Sequence, residues 1–306
     1  MRYLLCLLLL ASSALAQSST AESKQQVLWQ KLASGINQVD QKLDGVMGVA
    51  IEDLTTGQKY LLHADDIFAQ ASTIKIAVLA GLYHQAETGK LKLTDLYTVN
   101  ASDLVPDSDI MGGLTTGVTR ITLRDLATMM VAVSDNSATN VLIDRVGMNN
   151  VNALMDSLKL THTRLRRKMM DIKAAAEGRE NISTPSEMMT LLDALYRGKV
   201  LNRELTDDFF KMLSTHKESF IRRDLPDDLK VASKPGELEG IRNDCGVVFV
   251  QNRPYVICAM TGYLRHERDG ENAITKVSLL AYQMFDRLAR ASEYGRVVSS
   301  ANRSKP

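Results

Sequence analysis

The stretch GVMGVAIEDLTTGQKYLL, residues 45–62, decides the fold. Its first half, Gly45 to Asp53, has the composition of a strand, and Gln58 to Leu62 has that of a partner strand. The Thr55-Thr56-Gly57 sequence between them is typical of a turn. The sequence therefore predicts a β-hairpin in the N-terminal part of the chain.

Further strand-like segments occur only near the other end of the chain. They are Lys230 to Ser233, Cys245 to Val250 and Tyr255 to Tyr263. The turn sequence Gln251-Asn252-Arg253-Pro254 joins the last two into a second predicted hairpin. Strands from both ends of the chain can therefore form one sheet.

Helical patterns occupy the remaining chain. The residues Glu22 to Val39 and Asn272 to Ala291 have helical spacing of apolar side chains, and Ser72 to about Ser214 is mostly helical. We predict an α/β fold, in which an antiparallel sheet is flanked by N- and C-terminal helices and carries an inserted all-helical domain. The sheet lobe would span about 22–68 and 218–295, and the helical lobe about 69–217. A cleft between two lobes is a natural place for chemistry.

The composition is that of a globular protein. The 306 residues are 45% hydrophobic and 24% charged, with 37 basic and 36 acidic side chains, which excludes a disordered or fibrous protein. Because no long run of Lys and Arg occurs, nucleic acid is not an expected partner. No segment approaches the roughly 18 apolar residues of a membrane helix, so we expect no membrane span.

The N-terminus has the features of a cleavable leader. Arg2 precedes the apolar run Tyr3 to Leu10, and Ala14-Leu15-Ala16 resembles a cleavage site. We predict a signal peptide at residues 1–16, which would remove Cys6, and a periplasmic or secreted bacterial product. The folded domain would span residues 17–295, and the polar residues 296–306 would form a disordered tail.

Two cysteines remain after cleavage, Cys245 and Cys258. A two-residue turn between their strands places them opposite each other or one diagonal step apart. Export permits a disulfide, but two packed thiols in neighbouring strands are an ordinary core arrangement, and we favour the thiols. No Cys/His spacing suggests a metal site, and we expect neither a metal nor a cofactor.

Three short motifs can carry chemistry. Ser72 and Lys75 lie one helical turn apart, and a lysine with a lowered pKa can act as the base that a serine nucleophile needs. Ser134-Asp135-Asn136 interrupts two helical stretches, and Lys234-Pro235-Gly236 ends the strand that begins at Lys230. Each motif alone also fits a helix cap or a strand end. The three together, in this order, are far more specific.

This motif set resembles that of the class A serine β-lactamases and related penicillin-recognising enzymes. The likeness continues through Leu123-Arg124-Asp125-Leu126, Asn136-Ser137-Ala138-Thr139-Asn140, Thr163-Arg164-Leu165 and Ser183-Thr184-Pro185. It covers nearly the whole mature chain. The family fold, an α/β sheet domain with an inserted helical domain and the active site between them, agrees with the order of the segments.

The resemblance implies the catalytic roles. Ser72 would be the acylated nucleophile, Lys75 the base or proton relay, and Ser134 the donor to the departing lactam nitrogen. Lys234 would stabilise the substrate carboxylate. The backbone N–H groups of Ser72 and Glu237 would form the oxyanion hole.

The resemblance also implies a substrate-binding set. Asn136 would bind the substrate amide, and Gly236 and Glu237 would lie beside the substrate. Arg242 aligns with a carboxylate-binding arginine of some family members, although an exposed structural arginine fits this position equally well. Pro235 stands where the family has a hydroxyl residue, so we expect weaker carboxylate binding. Proline has no backbone N–H, so it is tolerated there only where the nitrogen faces away from a neighbouring strand.

One loop departs from the family pattern. Class A enzymes hydrolyse the acyl-enzyme with a water activated by a glutamate after the Thr-Arg-Leu segment, and an ungapped match puts Met169 at that position. A thioether cannot deprotonate water. Lys173 replaces the asparagine that helps to hold the water. Asp171 is the first candidate for a replacement base, unless it only neutralises the Arg166-Arg167-Lys168 cluster. Two further carboxylates follow in the loop, Glu177 and Glu180.

The loop ends regularly. Thr184, Pro185 and Glu187 predict a capping box, with Thr184 as N-cap and Pro185 as the first helical residue.

Three functions remain open. The first is an exported serine hydrolase that opens β-lactam amide bonds through a seryl acyl-enzyme, with slow deacylation unless another base replaces the glutamate. The second is a penicillin-binding or DD-peptidase-like enzyme, or another amide or ester hydrolase, that turns over lactams poorly. The third is a non-catalytic ligand-binding descendant, although binding alone requires no nucleophile. The expected partner is a small β-lactam or a peptide-like amide, and we expect a monomer.

Overall fold

The computed structural model describes residues 24–292 and 294–297. The predicted leader and most of the predicted tail lie outside the described residues. The α-helices are α1 (24–40), α2 (Lys75–Glu87), α3 (Leu123–Ala132), α4 (Asn136–Val146), α5 (Met148–Ser157), α6 (Ile172–Ala176), α7 (Pro185–Tyr196), α8 (Arg203–Leu213) and α9 (Glu267–Arg290). The strands are β1 (Val46–Asp53), β2 (Lys59–Leu62), β3 (Phe68–Ala69), β4 (Leu96–Thr98), β5 (Arg120–Thr122), β6 (Ile182–Ser183), β7 (Val231–Leu238), β8 (Ile241–Val248) and β9 (Tyr255–Gly262).

The main sheet has five strands in the order β2-β1-β9-β8-β7. Every neighbouring pair is antiparallel, and β1 pairs with β9, so the hairpins from the two ends of the chain join in one sheet. The predicted fold class is confirmed, with α1 and α9 on one face of the sheet and the inserted helices on the other. Strand β7 lies at the edge of the sheet. This position suits Pro235, because proline has no backbone N–H to donate and one side of an edge strand has no neighbouring strand to bond.

The side chains of β1 explain why the sheet has two buried faces. Met47, Val49 and Ile51 pack into a cluster with α1 and α9, while Ala50 faces the helical cluster on the other side. On that second face a Cβ added to Gly48 would lie 2.7 Å from the Phe68 ring and 2.9 Å from Pro185 Cγ. Large side chains on one face and small ones on the other therefore let α7 approach the sheet closely.

Aromatic rings hold the two terminal helices against the sheet. Tyr255 of β9 stacks on Phe285 of α9 with ring centroids 4.2 Å apart, and Trp29 of α1 meets the same Phe285 edge-on at 5.8 Å. Stacked and edge-to-face rings are the favoured aromatic geometries. The helices predicted to cover the sheet are thus fixed on it by the only tryptophan of the chain and two further aromatic rings.

Helix α2 is the central helix of the inserted block. Its sequence KIAVLAGLYHQAE is apolar on nearly every side, and the residues Ile76 to Tyr83 are all buried. A helix that is apolar all round is a core helix. The motif residues at its N-terminal end therefore lie deep in the molecule, against the sheet.

Several element boundaries differ from those predicted. Strand β7 does not end at the Lys234-Pro235-Gly236 motif but continues to Leu238, and β8 begins at Ile241 rather than Cys245. The added residues, Glu237 and Leu238 in β7 and Ile241 to Asp244 in β8, mix polar and apolar side chains, so they lack the hydrophobic pattern of a strand. Helix α9 begins five residues before Asn272, where its first turn is charged. The short pairs β3–β6 and β4–β5 carried no strand signal.

The two cysteines form a disulfide, which corrects the prediction of free thiols. Cys245 and Cys258 are directly opposite in β8 and β9, as the turn count predicted, and their sulfurs are bonded. Both side chains point to the same buried face of the sheet. Two cysteines at a directly paired position are within the reach of a disulfide.

The predicted capping box at α7 is half present. Thr184 Oγ1 accepts a hydrogen bond from Glu187 N at 3.1 Å, as predicted, and Pro185 is the first helical residue. The Glu187 carboxylate does not return to Thr184, however. It accepts hydrogen bonds from the backbone of His162 and Thr163 and so ties the start of the loop to α7.

Within the described residues, no helix combines the length and the apolarity needed to cross a bilayer.

Candidate active site

Ser72 lies in a tight turn at the start of α2. The segment Ala71–Ile74 is a 3₁₀ helix that runs directly into α2, and Ala71 has a left-handed backbone with φ of +48°. Such a conformation is unfavourable for a residue with a side chain, and the surrounding structure must hold it. The turn presents the Ser72 hydroxyl at the end of a buried helix.

Gly236 lets strand β7 touch this turn. A Cβ at Gly236 would lie 2.7 Å from Gln70 O, 2.9 Å from Thr73 N and 3.0 Å from Ser72 N. No real side chain fits at such distances from backbone atoms. The glycine of the Lys-x-Gly motif is therefore required because two backbones meet beside Ser72.

Ser134 is the centre of the hydrogen-bond network. Its Oγ lies 3.0 Å from Ser72 Oγ, 2.9 Å from Lys75 Nζ and 3.1 Å from Lys234 Nζ. Its backbone is left-handed, with φ of +58°, at the joint between α3 and α4. The structure thus brings together all four predicted catalytic residues, and Ser134 lies between the serine and the two lysines.

The surroundings of Lys75 suit an uncharged amine. Lys75 Nζ donates to Ser134 O at 2.6 Å and to Asn136 Oδ1 at 2.8 Å, and its third neighbour is the Ser134 hydroxyl. The first two atoms only accept hydrogen bonds, whereas a hydroxyl also donates. A neutral amine has two N–H groups and one lone pair, so it satisfies all three contacts.

Burial and nearby charge also favour the uncharged amine of Lys75. Lys75 is 1% exposed, and burial, followed by the nearby charge of Lys234, holds the pKa of its amine well below the usual value. A buried ammonium loses its hydration and is repelled by another nearby cation, and both effects favour the neutral amine. Lys75 is therefore placed to accept a proton.

Lys234 is the second buried lysine. It is 2% exposed, and its Nζ donates to Ser134 Oγ and to Pro235 O at 3.0 Å. Burial, followed by the charge of Lys217, lowers the pKa of Lys234 to about 7. The buried Asp244 opposes this effect. Near neutral pH the charge of Lys234 is thus easily changed.

In the Ser134-Asp135-Asn136 motif, the aspartate has a structural role and the asparagine lies at the site. The Asp135 carboxylate is fully buried and accepts hydrogen bonds from the backbone N–H groups of Ile110, Met111 and Ala138, so it fixes the joint. Asn136 instead lines the cavity and holds Lys75. The two neighbouring residues therefore have different tasks.

A cavity of ≈ 440 Å³ opens in front of Ser72. Its walls include Asn136 from α4, Glu237 from β7, and Met169 and Glu180 from the segment between α5 and α7. The cavity thus lies where the helical block meets the edge of the sheet, as expected for a site between lobes.

Arg242 is held away from this cavity. Its guanidinium donates to Glu271 Oε1 at 3.2 Å and to the carbonyl oxygens of Leu238 and Ile241 at 2.9 and 2.8 Å. Glu237 is a weaker partner at 3.8 Å. Of the two roles considered from the sequence, the structure favours that of a structural arginine.

Met169 is anchored as a site residue. Asn140 Oδ1 accepts from Met169 N at 2.8 Å, and Asn140 Nδ2 donates to Met169 O at 3.1 Å. The Met169 side chain is 8% exposed and lines the cavity, while Lys173 is exposed on α6. The structure therefore holds a thioether at the cavity wall where the family pattern has its glutamate.

Asp171 does not contribute to the cavity wall, contrary to the expectation from the sequence. It is exposed and is the N-cap of α6, where its Oδ1 accepts from Ala174 N at 2.9 Å. Glu177 is also exposed and pairs with Arg179. Glu180 is the loop carboxylate at the cavity.

Sequence reasoning missed three residues around the site. Asn140 was noticed only as part of a resembling segment. Asn243 is fully buried and donates through Nδ2 to Ala69 O at 2.9 Å, which ties β8 to the chain before Ser72. Lys217 lowers the pKa of Lys234 by electrostatic repulsion. No local pattern marks such contacts, since the partners lie far apart in the sequence.

In residues 24–292 and 294–297 no group of three or more His, Cys, Asp or Glu side chains is placed to hold a metal ion.

Known proteins resemble this chain over most of its length. Residues 31–285 match the model of the β-lactamase enzyme family. The β-lactamase SME-1 of Serratia marcescens is 27% identical over 292 residues, which are 92% of this chain and 95% of that protein.

Solved structures give the same result. A β-lactamase from Sphaerobacter thermophilus matches with a TM-score of 0.77 and 30% identity, over 84% of this chain and 97% of that one. An ancestral class A β-lactamase matches with a TM-score of 0.76 and 26% identity, over 82% and 99%. The resemblance stated from the motifs is confirmed. The chain belongs to the β-lactamase enzyme family and is a class A β-lactamase-like serine hydrolase.

Proposed function

We propose that β-lactams acylate Ser72 of this enzyme and that hydrolysis of the acyl-enzyme is its slow step. One contrast carries the proposal. The groups for acylation form a connected network, with Ser134 Oγ 3.0 Å from Ser72 Oγ and 2.9 Å from Lys75 Nζ. At the cavity wall where the family pattern has its deacylating glutamate lies Met169, which cannot take a proton from water.

Acylation begins with a proton relay. Hydroxyl hydrogens rotate, so the Ser72 hydroxyl can donate to Ser134 Oγ while the Ser134 hydroxyl donates to the neutral Lys75 amine. As Ser72 Oγ attacks the lactam carbonyl, its proton moves to Ser134 and the Ser134 proton moves to Lys75. When the lactam C–N bond breaks, Ser134 returns a proton to the departing nitrogen and recovers one from Lys75.

Two other groups stabilise charge during this step. We assign the developing oxyanion to the backbone N–H groups of Ser72 and Glu237, because Gly236 brings these two segments into contact. The substrate carboxylate belongs beside the Lys234 ammonium. We assign Arg242 no part there, since it does not line the cavity and its Nε and Nη1 donate to Glu271 and two carbonyl groups.

The test uses the purified mature protein and a chromogenic cephalosporin, with colour and intact mass followed together. We expect one equivalent of rapid colour, a retained adduct on Ser72 and then slow turnover. Ser72→Ala should give neither colour nor adduct. Fast turnover without a burst would refute a slow deacylation, and the absence of any adduct would favour a non-catalytic binding protein.

We also propose that the protein is exported by its leader and acts as a monomer. The Cys245–Cys258 disulfide supports export, because disulfides persist outside the reducing cytosol. N-terminal sequencing of the protein from a periplasmic extract should begin at Gln17, and light scattering should give the mass of one mature chain. Retention of residues 1–16, or a dimer mass, would contradict these two points.

A further inference from the structure

We infer that Glu180 is the base that activates water for hydrolysis of the acyl-enzyme. The inference rests on the proposed function, because it concerns the second half of the same reaction. It names a residue that lies eleven positions beyond Met169 in the sequence and that the loop folds back to the cavity.

Strand pairing places Glu180 next to the nucleophile. The short strands β3 and β6 pair Phe68 with Ser183 and Ala69 with Ile182. The next position is also bonded, as Gln70 N donates to Asn181 O at 2.8 Å. Beyond this bonded pair, the next residues of the two segments are Glu180 and Ala71, the residue before Ser72. All of Ala71, Ser72 and Glu180 line the one cavity.

Arg167 holds the Glu180 carboxylate by one oxygen only. Its Nη2 and Nε donate to Glu180 Oε2 at 2.8 and 3.2 Å, and its Nη1 donates to Lys168 O at 3.1 Å. Arg167 thereby connects Glu180 to the residue that precedes Met169. Within the described part of the chain Oε1 accepts no hydrogen bond, so it is available for a water in the cavity.

The other carboxylates are less suitable. Asp171 caps α6 and Glu177 pairs with Arg179, both on the exposed side of the loop. Three acidic residues lie on other walls of the cavity, namely Asp107, Glu237 and Glu239. Asp107 belongs to the wall of Asn136, whose N–H its carbonyl accepts, and the two glutamates lie at the open end of β7.

The step balances in atoms and protons. The water oxygen forms a bond to the ester carbonyl carbon while Glu180 Oε1 takes one water proton. The tetrahedral intermediate then breaks its bond to Ser72 Oγ, and the proton held by Glu180 passes to that oxygen. The second water hydrogen remains with the acid product, Ser72 is a free hydroxyl again, and Glu180 is again ionised.

The experiment measures the lifetime of the benzylpenicillin adduct by intact mass after removal of excess lactam, together with the acylation rate. In Glu180→Gln the amide oxygen still accepts from Arg167, but no carboxylate remains. We expect the adduct to last about 100-fold longer or more, with an unchanged acylation rate, since a general base contributes about 100-fold to 10,000-fold. Glu177→Gln, the same change outside the cavity in the same loop, should leave both rates unchanged.

The Arg167→Ala variant distinguishes a catalytic role of the Glu180 carboxylate from a purely structural role of its ion pair with Arg167. It breaks the ion pair but keeps the Glu180 carboxylate, so it should lengthen the adduct lifetime much less than Glu180→Gln does. An adduct of wild-type lifetime in Glu180→Gln, or an equal effect of both variants, would overturn the inference. If the unaltered enzyme forms no adduct at all, the proposed function itself fails, which is a different result.

Discussion

At the scale of single residues, Ser134 has the most consequential position. The shortest hydrogen-bonded route from the nucleophile to Lys75 runs through its hydroxyl, because in the described residues Lys75 bonds to Ser134 and Asn136 and not to Ser72. In the proposed reaction, the serine of the Ser-Asp-Asn motif is thus a proton carrier for the attack as well as a donor to the leaving nitrogen.

We therefore predict that Ser134→Ala slows acylation by about 100-fold or more, which is the lower end of what general base catalysis contributes. Lys75 remains in place but loses its connection to Ser72. Burst kinetics with a chromogenic cephalosporin measure the rate, and thermal unfolding checks that the variant is folded. A normal burst rate would show that Lys75 reaches Ser72 directly once substrate is bound.

A second residue-scale prediction concerns Met169. Met169→Glu should shorten the adduct lifetime by about 100-fold or more, because it adds a carboxylate at a buried position whose backbone Asn140 already holds on both sides. Met169→Gln is the matched control, similar in size but unable to take a proton. Equal lifetimes in the two variants would show that position 169 does not reach the ester.

Residues of this kind differ in how well the sequence predicts them. Ser72 and Lys75 were predictable, because one helical turn fixes their relation locally. The identity of the loop carboxylate that lines the cavity, Glu180, was not predictable from the sequence. It depends on how the loop reverses at Met170, with φ of +60°, and at Gly178, with φ of +74°. These turns direct Asp171 outward and return Glu180 to the Ser72 turn.

At the scale of elements, the sequence predicted the hairpins better than their ends. β1 alternates large and small side chains from Met47 to Ile51, and a turn that contains Gly57 joins it to β2, so both strands appeared at the predicted positions. The last residues of β7 and the first of β8 lack a regular apolar pattern, and the pairing of β8 with β7 and with β9 makes them strands. This extension matters, since it places Glu237 at the cavity.

The disulfide gives a prediction at the same scale. It links β8 to β9 across the hairpin, with 13 residues of sequence separation. Closing a loop of this length in the unfolded chain is worth about 3 kcal/mol, so reduction should lower the free energy of unfolding by about that amount. Urea unfolding with and without reductant measures the difference. Two titratable thiols in the denatured, unreduced protein would exclude the bridge.

At the scale of the whole molecule, the site combines lysine amines from distant parts of the chain. Lys75 lies on the central helix, Lys234 on the edge strand, and Lys217 in the segment that connects the helical block to the sheet. Burial, followed by the charge of Lys217, lowers the pKa of Lys234 to about 7, and burial lowers the pKa of Lys217 to about 8. Asp244, fully buried beneath them, is the opposing charge. Folding thus brings the three lysines together around the site, and Lys234, bonded to Ser134, is the one that can carry a charge for an anionic substrate.

This arrangement fixes the sign of a pH effect on acylation. As the pH rises through about 7, Lys234 loses its proton and with it the attraction for the substrate carboxylate. The acylation efficiency, kcat/KM, should therefore fall above about pH 7.

Lys234→Arg tests the cause, because a guanidinium stays charged throughout this range. The variant should lose the decline of kcat/KM above about pH 7, even if its maximal value is lower. A lactam whose carboxylate is esterified provides a second control, since it has no charge for Lys234 to attract and should show a smaller decline with the unaltered enzyme. A decline that is the same for the ester and for Lys234→Arg would place the titrating group elsewhere, and Lys217, the other buried cation near neutral pKa, would be the next residue to replace.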